Sequence, residues 1–146
     1  MLLFVVAFVV LVLDRLSKWY VSTHMDMGES IPVIPDVFHI TYVRNPGAAF
    51  GLWANQTGIF IIITVAVIVL IIAFARQVGP GQTLLRLALG LQLGGALGNL
   101  YDRVLSGTVV DFLDFRVWPV FNLADTAIVT GAMLFVLYLI FTWQKV

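Results

Sequence analysis

Asp111 and Asp125 are the side chains of this sequence best suited to chemistry. They stand in Val109-Val110-Asp111-Phe112-Leu113-Asp114-Phe115 and Phe121-Asn122-Leu123-Ala124-Asp125-Thr126, between two long apolar stretches. An ionised side chain so close to hydrocarbon is costly and is kept there when it serves a site or is paired. Thirteen residues including Trp118-Pro119 separate the two aspartates, enough chain to turn back, so they can converge. Two adjacent carboxylates do not both ionise readily; one keeps a proton, and the pair can then act as acid and base on a water between them. That is the requirement for aspartyl hydrolysis of a peptide. Asp125 opens an apolar stretch, where a helix N-terminus favours an anion, and is expected to be the more readily ionised partner. Spacing leaves other readings open: Asp125 as an N-cap, Asp111 as a solvated loop residue, or Asp114 as a member of the pair.

The elements that would hold these residues are membrane-spanning. Of the 146 residues 61% are apolar and 11% charged, with a mean hydropathy of +1.03, far from a soluble globular domain. At about 20 residues per span, the apolar stretches predict four transmembrane helices, near residues 2–20, 58–75, 84–104 and 125–143. The expected fold is therefore a membrane all-α bundle of four helices, one domain over 1–146, with a small extracytoplasmic β-sheet between helices one and two, near 21–57. The first stretch lacks a basic flank and carries Asp14, Arg15 and Lys18 where a cleavage site would follow, so it is expected to be a retained helix rather than a signal peptide. Eight basic and eight acidic side chains cancel, which disfavours nucleic acid as a partner.

Basic residues set the orientation. The link between helices two and three holds Arg76 and Arg86 and no acid, and Lys145 is near the C-terminus, so both termini are expected to be cytoplasmic. Both aspartates then lie near the outer leaflet. The link between helices one and two is long for a bundle and should be structured. Its run Val37-Phe38-His39-Ile40-Thr41-Tyr42-Val43 predicts a strand, followed by a turn in Asn45-Pro46-Gly47-Ala48-Ala49-Phe50-Gly51. Trp19, Tyr20 and Trp53 suit the interfacial aromatic belt.

In the third stretch Gly90, Gly94 and Gly98 share a face, a small-residue seam that lets helices approach closely. That seam would fix Asn99, Asp102 and Arg103 at the outer end of the helix. Asp102 could simply pair with Arg103, whereas Asn99 is an amide suited to binding a peptide backbone. Asp14 and Lys18, four apart, read as an ion pair anchoring helix one. The chain has no cysteine, which removes thiol chemistry, and His24 and His39 do not form a zinc motif, so neither a metal nor another cofactor is expected.

Taken together, five blocks in order resemble the lipoprotein signal peptidases, the type II signal peptidases of bacterial membranes. They are Asp14-Arg15-Leu16-Ser17-Lys18; the 45–51 segment; Gly94-Gly95-Ala96-Leu97-Gly98-Asn99-Leu100-Tyr101-Asp102-Arg103; Val109-Val110-Asp111-Phe112; and Phe121-Asn122-Leu123-Ala124-Asp125-Thr126. The resemblance implies a multi-pass aspartyl endopeptidase of the bacterial cytoplasmic (inner) membrane, a monomer, that removes signal peptides from diacylglyceryl-modified prolipoproteins before the lipidated cysteine. It implies Asp111 and Asp125 as the catalytic pair, with Asp114 a bystander. Asn45, Gly47, Asn99, Arg103 and Asn122 would contact substrate or the inhibitor globomycin, and Asp14, Lys18 and Asp102 would support the site. Thr126 stands where serine is common, a change that keeps the hydroxyl. The strand and the 45–51 turn could close over the site and exclude bulk water.

Other readings lack their residues. Gly-x-Gly-Asp and Gly-x-Ser-x-Gly are absent. A transporter that binds ions at the two aspartates would be favoured by repeated or broken apolar segments, and none is seen. An inert lipoprotein-binding homologue is disfavoured by the presence of both carboxyls.

Overall fold

The computed structural model describes residues 1–47 and 56–143. The 48–51 part of the expected turn, and Trp53, lie outside the described residues. The element order is α1 (Leu2–His24), β1 (Ser30–Ile34), β2 (Phe38–Asn45), α2 (Thr57–Ala75), α3 (Thr83–Ser106), β3 (Val109–Asp114) and α4 (Leu123–Trp143). The four expected helices are all present, each within a few residues of its anticipated span. By length and composition α2 and α4 are apolar enough to cross a membrane. α1 and α3 instead carry charged side chains, and these turn inward.

α3 is the axis of the bundle, packing on the other three helices. Its small residues set the spacing. A Cβ at Gly90 or Gly94 would come within 2.7 Å of Leu3 O or 2.6 Å of Ala7 O on α1. On its other side Gly95 lies against Ala124 O of α4. Helices this close gain van der Waals contact that lipid cannot match. Around the seam Leu3, Ala7, Ile71, Leu85, Leu89 and Leu93 form a core of three helices. α3 stops at Gly107, whose φ of 74° is left-handed and whose N–H closes on Arg103 O.

The sheet is three-stranded and antiparallel, in the order β1-β2-β3. Here the expectation needs correcting: the sheet is not confined to the link between α1 and α2. Its third strand comes from the link between α3 and α4, and that strand carries Asp111. Val43 pairs with Asp111 and Asn45 with Val109 across β2 and β3. Tyr42, Val110 and Phe112 bury against Val21 at the end of α1, which seats the sheet on the bundle. Trp19 and Tyr20 are exposed on that end of α1.

Candidate active site

Asp111 is pinned by β3, and Asp125 by the start of α4. β3 continues α3 after the Gly107 reversal, and its inner residues Val109, Val110, Phe112 bury with Asp111, which is only 2% exposed. Asp111 is therefore not a solvated loop residue. Asp125 is not the N-cap either. Asn122 precedes the helix, its Oδ1 accepting from Asp125 N at 2.9 Å while Asp125 Oδ2 accepts from Asn122 N at 3.3 Å. This is a reciprocal capping box with Asn and Asp in the two roles, and it locks the Asp125 carboxylate over the first turn.

One amide joins the two acids. Asn122 is fully buried, and its Nδ2 donates to Asp111 Oδ1 at 2.6 Å while its own Oδ1 serves Asp125 N. Asn45 Nδ2 donates to the other Asp111 oxygen at 3.0 Å, and Asn99 Nδ2 donates to Asp125 Oδ1 at 2.7 Å. Asn45 Oδ1 in turn accepts from Gly47 N at 2.9 Å, so the start of the 45–51 segment is tied to the acids. Asp111, Asp125, Asn45, Gly47, Asn99 and Arg103 line one cavity of about 360 Å³, walled further by Trp118-Pro119-Val120-Phe121.

Behind the cavity lies a second polar layer. Lys18, 1% exposed, sits 2.9 Å from Asp14 Oδ2 and 3.0 Å from Asp102 Oδ2, and donates to Asn99 Oδ1 at 3.0 Å. Asp14 Oδ1 accepts from Ala124 N at 3.0 Å, tying α1 to α4. Asp102 is paired with Arg15, which also stacks over Tyr101, and Asp102 Oδ2 lies 3.3 Å from Val110 N of β3. The anticipated Asp102–Arg103 pair is not formed, because adjacent helical residues point in different directions. Arg103 turns to the cavity, within 3.5 Å of Gly47 O and 5.0 Å above the Phe60 ring. Arg15 was the member of this layer that sequence reasoning passed over. Its signal is a third charge inside an apolar stretch, which demands a partner.

Burial pushes the Asp111 carboxyl up to about 6, reinforced by the charge of Asp125 and only partly offset by the hydrogen bonds from Asn45 and Asn122 and the charge of Lys18. Asp114 behaves differently. Although burial alone would raise it, hydrogen bonds from Thr41 and Arg116 and the Arg116 charge hold its carboxyl below the usual carboxylate range. Asp114 faces Thr41 and Arg116, away from the cavity lining. Asp111 alone of these two has a raised carboxyl beside another carboxylate, an arrangement that can move a proton to and from a bound carbonyl. Among the described residues no group of three acidic or imidazole side chains could hold a metal.

Residues 6–141 match the Peptidase A8 family, described as signal peptidase (SPase) II. A lipoprotein signal peptidase of Moorella thermoacetica is 57% identical over 88% of this chain and 85% of its own length. That of Halothermothrix orenii is 50% identical over 99% of this chain and 97% of its own. Among solved structures, a bacterial membrane enzyme determined by the in meso method at 2.3 Å superposes with a TM-score of 0.91. The two are 34% identical, over 97% of this chain and 88% of that one.

Proposed function

The chain belongs to the signal peptidase II family of aspartic peptidases, bacterial membrane enzymes that remove signal peptides from prolipoproteins, and we propose that Asp111 and Asp125 are its catalytic pair, acting on diacylglyceryl-modified substrates just before the lipidated cysteine. The observation that carries this reading is the convergence of a strand carboxyl and a helix carboxyl on one cavity, joined through Asn122.

In the proposed cycle the pair shares one proton, carried by Asp111, whose raised carboxyl suits it to that role. The scissile carbonyl lies between them with a water on the Asp125 side, the more exposed of the two. Asp125 takes a proton from the water as its oxygen bonds to the carbonyl carbon, and Asp111 gives its proton to the carbonyl oxygen, forming a gem-diol. The C–N bond then breaks. The proton on Asp125 passes to the leaving nitrogen, and the gem-diol returns a proton to Asp111 as it becomes the new carboxyl group. Arg103 lines the same cavity as the pair, so the singly protonated acids and the guanidinium sum to zero charge. Asn45, Asn99 and Asn122 orient the acids; Asn45, Gly47, Asn99 and Arg103, which line the cavity, contact the substrate, or globomycin in its place, whereas the fully buried Asn122 acts only through the acids. Asp14, Lys18 and Asp102 support them.

All four helices cross the membrane in this reading. The charges of α1 and α3 allow it because Asp14 meets Lys18 and Asp102 meets Arg15 inside the bundle. Arg76 and Arg86 lie at the opposite end from the aspartates, so the termini are cytoplasmic and the site faces the outer leaflet. The chain acts as a monomer.

A gel-shift assay of the purified protein with a prolipoprotein, with and without diacylglyceryl modification, tests the reading. Cleavage of the modified form alone is expected, falling by roughly 10²–10⁴-fold in Asp111→Asn and in Asp125→Asn. Wild-type turnover in either variant would overturn the pair, and equal cleavage of the unmodified protein would overturn the lipid requirement.

A further inference from the structure

A second cavity, of about 210 Å³, opens off the catalytic one and shares Asn99 and Arg103 with it. Its floor is one stripe of α3: Gln92, Ala96, Asn99 and Arg103 recur at intervals of four, three and four residues, which is one helical face. Ile63, Thr64 and Val67 of α2 form one wall and Ile128 of α4 the other. The two walls meet farther from the aspartates, where Phe74 and Phe135 pack edge to face at 6.4 Å. The result is a cleft running down α3 from Arg103, which also lines the catalytic cavity, to Gln92, about 16 Å for eleven residues at 1.5 Å each.

Gln92 is the odd residue in it. The other lining groups away from the acids are apolar, apart from Thr64, whose hydroxyl is spent on Phe60 O of its own helix. Gln92 packs its stem against the notch at Gly131, where a Cβ would meet Gln92 Cγ at 2.8 Å. Among the described residues its one hydrogen bond is a long 3.4 Å contact from Nε2 to Ala88 O. Among the described residues its carboxamide oxygen accepts no hydrogen bond, and the side chain lines the cleft. A polar side chain in that setting favours a helix that brings it a donor.

We propose that this cleft receives one face of the last turns of the signal helix, and that Gln92 is a specificity-determining residue favouring a hydroxyl-bearing side chain on that face. The proposal rests on the assignment of prolipoproteins as substrates. The occupant follows from continuity: a helix leaving the scissile bond at the acids and lying along α3 must pass Asn99, then Ala96, then Gln92. The small volume admits side chains rather than a whole helix, so the signal helix lies over the cleft with its small and hydroxyl residues inward.

The chain has no cysteine, so single thiols can be placed without background. Val67→Cys and, in a separate groove lined by Phe115, Trp118, Phe121, Asp125 and Met133, Met133→Cys are each incubated with a diacylglyceryl-modified prolipoprotein carrying a second cysteine two turns before the cleavage point, and treated with a bismaleimide. Crosslinking at 67 and not at 133 is expected; the reverse, or equal yields, would overturn the cleft. In parallel, kcat/KM is measured for substrates with Ser or Leu at each position of those turns, in the wild type and in Gln92→Leu. At one facing position the Ser/Leu ratio should fall about threefold in Gln92→Leu, through KM, the size usual for one interhelical hydrogen bond in a bilayer. An unchanged ratio at every position would overturn the role of Gln92. If Asp111→Asn kept full turnover the catalytic reading would fail, yet the crosslinks would still report where the helix sits.

Discussion

Replacing Lys18 by Met tests whether the buried polar layer behind the cavity acts as one unit. Met keeps the length and most of the volume but removes a charge that lies 2.9 Å from Asp14, 3.0 Å from Asp102 and 3.0 Å from Asn99. Lys18 with Arg15 balances Asp14 with Asp102, so the variant leaves one carboxylate uncompensated at a position with no solvent contact. Breaking a buried pair in this way costs about 3–5 kcal/mol, or roughly 10 °C in Tm for a chain of this size. Asp14→Asn alone should cost about 1 kcal/mol, because Lys18 keeps Asp102 and Asn99 and an amide oxygen can still accept from Ala124 N. Combined with Lys18→Met it restores neutrality, so the double variant should be more stable than Lys18→Met alone, with a coupling of about 2 kcal/mol. Thermal unfolding of the four proteins in one detergent measures the cycle. Turnover should not recover in the double variant, because Asn99 has lost the ammonium that fixes which of its ends faces Asp125. Additive destabilisation, or recovery of turnover together with stability, would refute the argument.

Four further outcomes follow from the same geometry. The alkaline limb of kcat/KM should fall near pH 6, where Asp111 in the free enzyme loses its proton; a limb that stays put in Asp125→Asn with its residual activity would contradict coupling between the acids. The same group makes stability pH-dependent: its folded value lies above the ordinary 3.8, so its contribution is full below about pH 4 and is lost as pH rises to about 6, a fall of about 3 kcal/mol that Asp111→Asn should abolish in urea or thermal titrations. Gly98→Ala would bring a methyl within 2.5 Å of Asp14 Oδ2 and 3.4 Å of Ala124 Cβ, and should destabilise by about 1–3 kcal/mol; an unchanged Tm would show that the carboxylate can move aside. Asn122→Ala removes both the cap and the link between the acids, with about 1–2 kcal/mol lost from α4 and turnover reduced far more than Tm would suggest, as a circular-dichroism melt beside the gel-shift assay would show.

The two acids and their flanking blocks were legible because each departs from its surroundings: a carboxylate at the edge of an apolar stretch needs a reason. The four helices were legible for the converse reason, their long stretches of apolar residues, unbroken in α2 and interrupted by charges in α1 and α3. β3 was not, although Val109-Val110-Asp111-Phe112 has strand-forming residues, because its partner β2 lies across two helices and no local pattern announces so distant a pairing. Asn122 as the cap of α4 could have been read, since an Asn three residues before an Asp is a capping pattern with the shorter acid. The other partners of Lys18, and those of Asp102, could not. Sequence neighbours suggested Asp14 for one and Arg103 for the other; the first contact exists, but the helix turns Arg103 to the cavity and hands Asp102 to Arg15 and Lys18.

Asn99 explains why a buried ionic layer belongs behind this cavity at all. An asparagine amide can present either end to a neighbour, and a donor facing Asp125 steadies it whereas an oxygen would repel it. Lys18 removes the choice. Its ammonium and the Asn122 amide both donate to Asn99 Oδ1, at 3.0 and 3.2 Å, so Nδ2 must point to Asp125. The same logic passes to Asn122: with Nδ2 serving Asn99 and Asp111, its oxygen is left for Asp125 N, which closes the cap of α4. One charge on α1 thereby fixes two amides on α3 and before α4, and through them both acids. A layer of well-packed apolar residues in place of Lys18, Asp14 and Asp102 would hold the helices together as well or better. It could not tell the amides which way to face.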